Sequence, residues 1–392
     1  MTKQQRGIIL LIRSALTGLG QELPADFDLT SAFDTAKKHG ITPLVYYGAR
    51  KCGVDTAPET VQRAFTVVCQ SIMADEKQRA ELTKLLDAFD RHNIKYMPLK
   101  GVNLKPLYPT PEMRMMGDAD ILISPQQYSD LIKPLMLELG FDEGAESDHE
   151  LIWNKPSLHV ELHKRLIPSY NKDYYAYFGD GWNLAKIKDD ATERYSMTNE
   201  DEFIYIFTHF AKHYRDSGIG LRHMTDLWVY GSAHRDMNRE YIITELSKLQ
   251  LDKFFDNIER TLKCWFGDGA SDNITDFITE TVFSSGKYGR AQTSFVSSAL
   301  KESKSNLNAC KIKRRRLLRS LFPSLEVMRG FYPVLEKVPL LLPILWPVHF
   351  FKRLFTKNKL KHYVNRMNSI DDGKISDYQR ELNFVGLDFN FK

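Results

Sequence analysis

The chain has 392 residues, 43% of them hydrophobic, which is enough for two or three structural units with cores of their own. Its 54 basic and 50 acidic residues leave a formal charge of +4, a balance that by itself gives no reason to expect a polyanionic partner, and no specific nucleic acid is expected. Cys52, Cys69, Cys264 and Cys310 show no paired C-x-x-C spacing, so neither a disulfide framework nor a thiolate zinc site is indicated and a reducing cytoplasm is the expected compartment.

The apolar run after the charged N-terminus is interrupted by Arg13 and reads as an amphipathic helix rather than a signal peptide. The pattern predicts helix through residues 3–93. Leu11, Ile12, Ala15 and Leu16 recur at helical spacing; Asp28, with Thr30 and Ser31, caps a second helix that Gly40 stops; Pro43 starts a third. Phe65, Val68, Cys69, Ile72, Leu82, Leu85, Leu86 and Phe89 describe one long amphipathic helix or two abutting ones. A strand is expected at 94–99, a short helix at 102–108, a proline-bearing loop at 109–111 and an acidic strand at 118–123. Ser124 and Pro125 open a helix that should reach Leu139 and stop at Gly140, kinked or divided at Pro134.

Extended segments at 141–146, 150–153 and 158–163 follow, so the fold class is α+β: a small mixed sheet covered by helices. Helix returns after Thr198 with the apolar stripe Phe203, Ile206, Phe207 and Phe210, then over 221–230 and 240–266, and residues 268–310 read as a helix plus a mobile connection. The organisation expected is a helical N-terminal region (1–93), an α/β core (94–196), a helical domain completing a cleft (197–305) and a basic and apolar C-terminal region (306–392).

In that last region residues 311–319 carry six basic side chains in nine, ahead of the apolar stretch 338–351. A spanning helix needs roughly 20 apolar residues. The stretch has 14, three of them prolines. Two readings stay open: contact with an anionic membrane surface, or a helical hairpin packed on the protein with its basic face in solvent.

The chemistry concentrates between residues 96 and 163. Asp118 and Asp120, two apart on a strand, point the same way, and Glu161 on a neighbouring strand can close the site. Three carboxylates so placed suit Mg²⁺ or Mn²⁺ better than zinc and imply phosphoryl or nucleotidyl transfer. Lys100 and Gly101 follow a strand, where a glycine lets phosphates approach backbone amides, and Arg114 can fork onto phosphate oxygens.

These residues carry a resemblance. Leu99-Lys100-Gly101, Tyr108, Arg114, Gly117-Asp118-x-Asp120 and Val160-Glu161-Leu162-His163 resemble the uncharacterised bacterial nucleotidyltransferase family within the DNA polymerase β superfamily. The earlier Ala36-Lys37-Lys38-His39-Gly40 with Pro43-Leu44, and the later His209-Phe210-Ala211-Lys212-His213 with Leu221-Arg222 and Asp226-Leu227, are similar too, extending the likeness over residues 30–235. The resemblance implies that Asp118 and Asp120 are the metal-binding pair, Glu161 the third carboxylate, and Gly101 part of the turn facing the triphosphate. One departure is Lys100-Gly101-Val102 where the superfamily has Gly-Gly or Gly-Ser, which puts a charge in place of a hydroxyl or amide contact.

Alternatives remain around this core. His159, Glu161 and His163 share a face and could form a zinc-type cluster; otherwise His163 orients Glu161 or touches substrate. His209 and His213, with Lys212 beside them, are either packing that hydrogen-bonds Asp226 or a wall of the nucleotide or acceptor pocket, and Arg222 with Asp226 reads as a helix-face ion pair. The expected function is metal-dependent transfer of a nucleoside monophosphate from a nucleoside triphosphate to an unknown acceptor. The alternative is a peripheral membrane protein of envelope polysaccharide assembly that binds nucleotide or polyanion without turnover. The two meet in a transferase acting on a glycan or lipid-linked precursor at the inner face of a membrane.

Overall fold

Local signals set the helix boundaries at the N-terminal end of this computed structural model, which describes residues 1–55, 58–169, 171–188, 192–286, 296–300, 308–329, 331–332, 334–354 and 371–387. Helix α1 (Lys3–Thr17) opens on a capping box between Thr2 and Gln5. Helix α2 (Leu29–His39) is capped by Asp28, whose carboxylate accepts from the Thr30 and Ser31 amides, and ends at Gly40 in the left-handed region. Helix α3 (Thr42–Lys51) begins with Pro43 in its first turn.

Helix α4 (Glu59–Arg91) is a single helix of 33 residues. Its packed seam runs through Val61, Ala64, Val68, Ser71, Asp75, Leu82, Leu85 and Phe89, in steps of three and four with one double step between Asp75 and Leu82. Two residues expected on the apolar stripe, Phe65 and Ile72, lie one position off that seam and are exposed, at 51% and 39%. The middle of the seam is instead polar, with buried Asp75 paired to Lys105 at 2.5 Å.

Five strands follow: β1 (Tyr96–Pro98), β2 (Ala119–Ile123), β3 (Asp142–Glu146), β4 (Glu150–Lys155) and β5 (Leu158–His163), in the order β1-β2-β5-β4-β3. Only β2 and β5 run parallel; the other neighbours are antiparallel, so the sheet is mixed, as the pattern predicts. Alternation sends Ala119, Ile121, Ile123, Val160 and Leu162 into one core with Phe89, Tyr96 and Trp153, and turns Asp120 and Glu161 to the other face.

Between β1 and β2 the chain forms a short helix α5 (Gly101–Leu104) and two 3₁₀ turns. Between β2 and β3 the helix expected from Pro125 to Leu139 is divided, as Pro134 requires: a 3₁₀ turn and a π turn (Tyr128–Ile132) lead into α6 (Lys133–Glu138), which holds Pro134 in its first turn where no amide is needed. A helix α7 (Lys172–Phe178) follows β5. A pair of two-residue strands, β6 (Lys186–Ile187) and β7 (Tyr195–Ser196), covers the free edge of β1, where the Tyr96 amide donates to the Glu193 carbonyl. Strands this short carry no periodicity, and the pattern reading does not contain them.

Helices α8 (Asn199–Asp216), α9 (Leu221–Ala233), α10 (Arg239–Lys248), α11 (Asp252–Phe266) and α12 (Asn273–Ser284) follow the sheet. Thr198 caps α8 by accepting from the Asp201 amide. The helix expected over 240–266 is two, because Gln250 takes a φ of 57° and ends α10. Phe203, Phe207 and Phe210 pack their rings on Phe254 and Phe255. The connection expected before residue 310 falls at 287–295 and 301–307, outside the described residues.

The chain forms two compact units, one comprising Met1–Tyr214, Ile219–Gly289 and Val385–Lys392, the other Arg215–Gly218 and Arg290–Phe384. The second contains α13 (Ala309–Leu321), α14 (Leu325–Arg329), α15 (Val334–Lys337), a 3₁₀ turn (Pro339–Leu341), α16 (Leu342–Leu354) and α17 (Asp372–Phe384). Among the described residues no helix is long and apolar enough to cross a membrane.

Candidate active site

The parallel pairing of β2 and β5 sets Asp120 directly opposite Glu161. Asp118 stands just before β2, which starts at Ala119, rather than on the strand as expected, and it is half-buried. Its charge nevertheless reaches Glu161: burial first, then the charges of Asp120 and Asp118, push the Glu161 carboxyl up to about 7.

Asp120 is held from two sides on the same oxygen. Lys100 Nζ lies 2.7 Å from Oδ1, and His163 Nε2 also 2.7 Å from it. Burial opposes ionisation of Asp120, but the Lys100 ammonium and the His163 hydrogen bond outweigh it and hold the carboxyl well below the usual carboxylate range. Lys100 gains in turn: burial works against its charge and Asp120 more than restores it. Beyond this pair, His163 Nδ1 is buried with no hydrogen-bond partner among the described residues.

Lys100 occupies the turn between β1 and α5 with φ 42° and ψ −110°, a conformation strained for a residue with a Cβ. The next residue, Gly101, has a packing reason for being glycine: a Cβ there would meet Arg114 Nη1 and Met116 Sδ, each at 3.1 Å. The fork of Arg114 closes on Asp226, with Nε to Oδ1 at 2.7 Å and Nη2 to Oδ2 at 3.0 Å, while its third nitrogen faces the Gly101 turn. Tyr108 also donates to Asp226 Oδ1, at 2.7 Å. Burial would raise the Asp226 carboxyl, and Arg114 keeps it low. Asp226 thus ties α9 to the strand-linking segment, and the helix-face pair expected with Arg222 gives way: Arg222 Nη1 donates to the Met115 carbonyl at 3.3 Å.

The zinc-type reading gathers the wrong residues. Nδ1 of His159 bonds Asn154 Oδ1 at 2.7 Å and its other nitrogen stays 3.8 Å from Glu161. Among the described residues two groups offer ligand atoms all within 4.8 Å of one another, Asp120-Glu161-His163 and His149-Glu150-His163, and neither His159 nor Asp118 is in either.

Helix α8 presents Tyr205, His209 and Lys212 at helical spacing toward this chemistry. The Lys100 charge acts on Tyr205 and His209, and burial followed by Lys100 drives His209 well below its ordinary value. His149 feels burial, then His163 and Lys212, and falls to about 3. His209 and His213 bond each other, Nε2 to Nε2, at 3.1 Å, where a bond to Asp226 was the expected packing. Tyr205, His149 and Glu150 escaped the pattern reading. Tyr205 hid among the aromatic residues of α8, and the other two could have been found only from the antiparallel register that sets Glu150 opposite His163.

Residues 25–267 match the model of a family described as uncharacterised nucleotidyltransferase. No curated protein and no solved structure matched the chain.

Proposed function

The chain belongs to the uncharacterised nucleotidyltransferase family, and from that membership we propose a metal-dependent reaction in which an acceptor hydroxyl or phosphate attacks the α-phosphate of a nucleoside triphosphate and pyrophosphate leaves. The observation that carries the reading is the register of Asp120 with Glu161, with the Asp118 charge beside them.

The side chains fit a hard divalent cation. They offer carboxylate oxygens, and a cation would offset both influences that raise the Glu161 carboxyl, burial first and then the neighbouring charges of Asp120 and Asp118. In this reading Asp118, Asp120 and Glu161 hold Mg²⁺ or Mn²⁺, which when bound lowers the pKa of the attacking hydroxyl and stabilises the leaving oxygen, as polymerase β-like enzymes do with two ions. His163 fixes the orientation of Asp120. Lys100 and Gly101 meet the triphosphate from the turn after β1, and Arg114 is a positioning residue, since Asp226 takes its fork. Tyr205, His209, Lys212 and His213 of α8 form the pocket wall above the sheet, with Arg222 on α9. The acceptor class we propose is a glycan or lipid-linked precursor, supported by the basic and apolar C-terminal stretch.

Purified full-length chain incubated with labelled triphosphates, Mg²⁺ or Mn²⁺ and candidate acceptors should show metal-dependent transfer. Asp118→Asn and Asp120→Asn each should lower it by two orders of magnitude or more, on the order of the several kcal/mol a bound cation contributes. In thermal melts, the correct triphosphate with Mg²⁺ should stabilise the parent chain and not these variants. Transfer that survives both substitutions would sink the assignment.

A further inference from the structure

The second unit turns an apolar stripe outward. In α16 and the turn before it, Leu340, Ile344, Val348 and Phe351 recur at helical spacing and are 88%, 65%, 49% and 58% exposed. The opposite side of the same helix is the one that packs. Trp346 donates through Nε1 to the Pro323 carbonyl at 2.9 Å and meets the Phe322 ring, while buried His349 lies between Phe331 and Tyr332. A helix anchored by its Trp and His while its aliphatic and phenyl side chains face away has its amphipathicity reversed for a body surrounded by water.

Charge says what would cover it. Residues 308–354 contain ten Lys and Arg against two Asp and Glu. On α13, Lys311, Arg314, Arg315 and Arg319 are exposed, with Leu317 and Leu318 half out beside them at 50% and 47%. An apolar protein partner would satisfy the stripe but not so one-sided a charge. An anionic bilayer satisfies both, with headgroups pairing the cations and the acyl boundary receiving the stripe. Among the described residues length does not allow spanning: thirteen residues in α16 give about 20 Å of helix against a hydrocarbon core of about 30 Å.

We propose that this unit docks on an anionic phospholipid surface, with α16 lying in the interface on the Ile344, Val348 and Phe351 face and α13 supplying the electrostatic attraction. The proposal is independent of the transfer reaction.

The test is flotation of the full-length chain with vesicles of phosphatidylcholine alone and of an equimolar mixture with phosphatidylglycerol, at low and high salt. The chain should float with the mixed vesicles, stay down with phosphatidylcholine alone, and lose binding as salt rises. Arg315→Glu with Arg319→Glu, and separately Ile344→Asp with Phe351→Asp, should each lower the bound fraction by at least about tenfold. All these side chains are exposed, so the melting temperature should stay that of the parent. No flotation with mixed vesicles, equal binding of parent and variants, or a self-association in the absence of lipid that the Ile344 and Phe351 changes abolish, would each overturn the proposal.

Discussion

Lys100 meets two demands at one position: its side chain pairs with a buried carboxylate while its backbone takes a turn that glycine adopts more readily. Lys100→Ala and Lys100→Gly remove the same ion pair and differ only in backbone freedom. Urea unfolding should therefore find the glycine variant more stable than the alanine variant by about 1 kcal/mol, since the relief of strain outweighs the extra entropy of the unfolded glycine. His39 meets demands of another kind. It is fully buried, its Nδ1 accepts from the Leu221 amide at 3.2 Å, and its Nε2 faces the Phe283 carbonyl at 3.3 Å, an arrangement that needs the neutral ring. Burial lowers its pKa to about 4 from 6.5. Because the unfolded chain takes up this proton below pH 6.5 and the native state does not until about 4, the contribution is complete above 6.5 and is lost as pH falls toward 4. Denaturant titrations across that window should show about 3 kcal/mol of pH dependence in the parent that His39→Asn lacks.

At the scale of elements, the join that matters most is between α9 and the segment leading into β2. Asp226 receives three hydrogen bonds there from Arg114 and Tyr108, in a pair of side chains only 7% and 8% exposed. Asp226→Asn leaves a buried guanidinium without its counter-charge and should cost about 3–5 kcal/mol. Tyr108→Phe leaves the ion pair intact and should cost about 1 kcal/mol. Chemical denaturation of both variants checks the ranking, and a smaller loss in Asp226→Asn than in Tyr108→Phe would show that the guanidinium finds another partner. A second join depends on Gly220, where a Cβ would sit 2.8 Å from His39 Nδ1 and 3.0 Å from the Gly286 carbonyl. That close approach is how α2, the start of α9 and the end of α12 come together.

At the scale of the whole molecule, the legible features were those encoded within a few residues of themselves. Asp28 and Gly40 bounded their helix, Pro134 divided its own, and the alternation in 119–123 and 158–163 marked two strands with acids on one side and aliphatics on the other. Phe65 and Ile72 misled because hydrophobicity alone does not say which neighbour is present; the seam of α4 ran through Ser71 and Asp75, whose partner Lys105 is thirty residues away from Asp75. Arg114 was legible as a group able to fork onto an anion, but not as one whose anion is Asp226, 112 residues on. By itself the sequence determined the α+β class, the caps, and the placing of Asp120 and Glu161 on strands, since backbone sterics and side-chain period act locally. Tertiary structure alone decided that those strands are parallel neighbours in register, that Lys100 and His163 share one oxygen of Asp120, and that the apolar side of α16 faces outward, because each depends on which distant segments exclude water from one another.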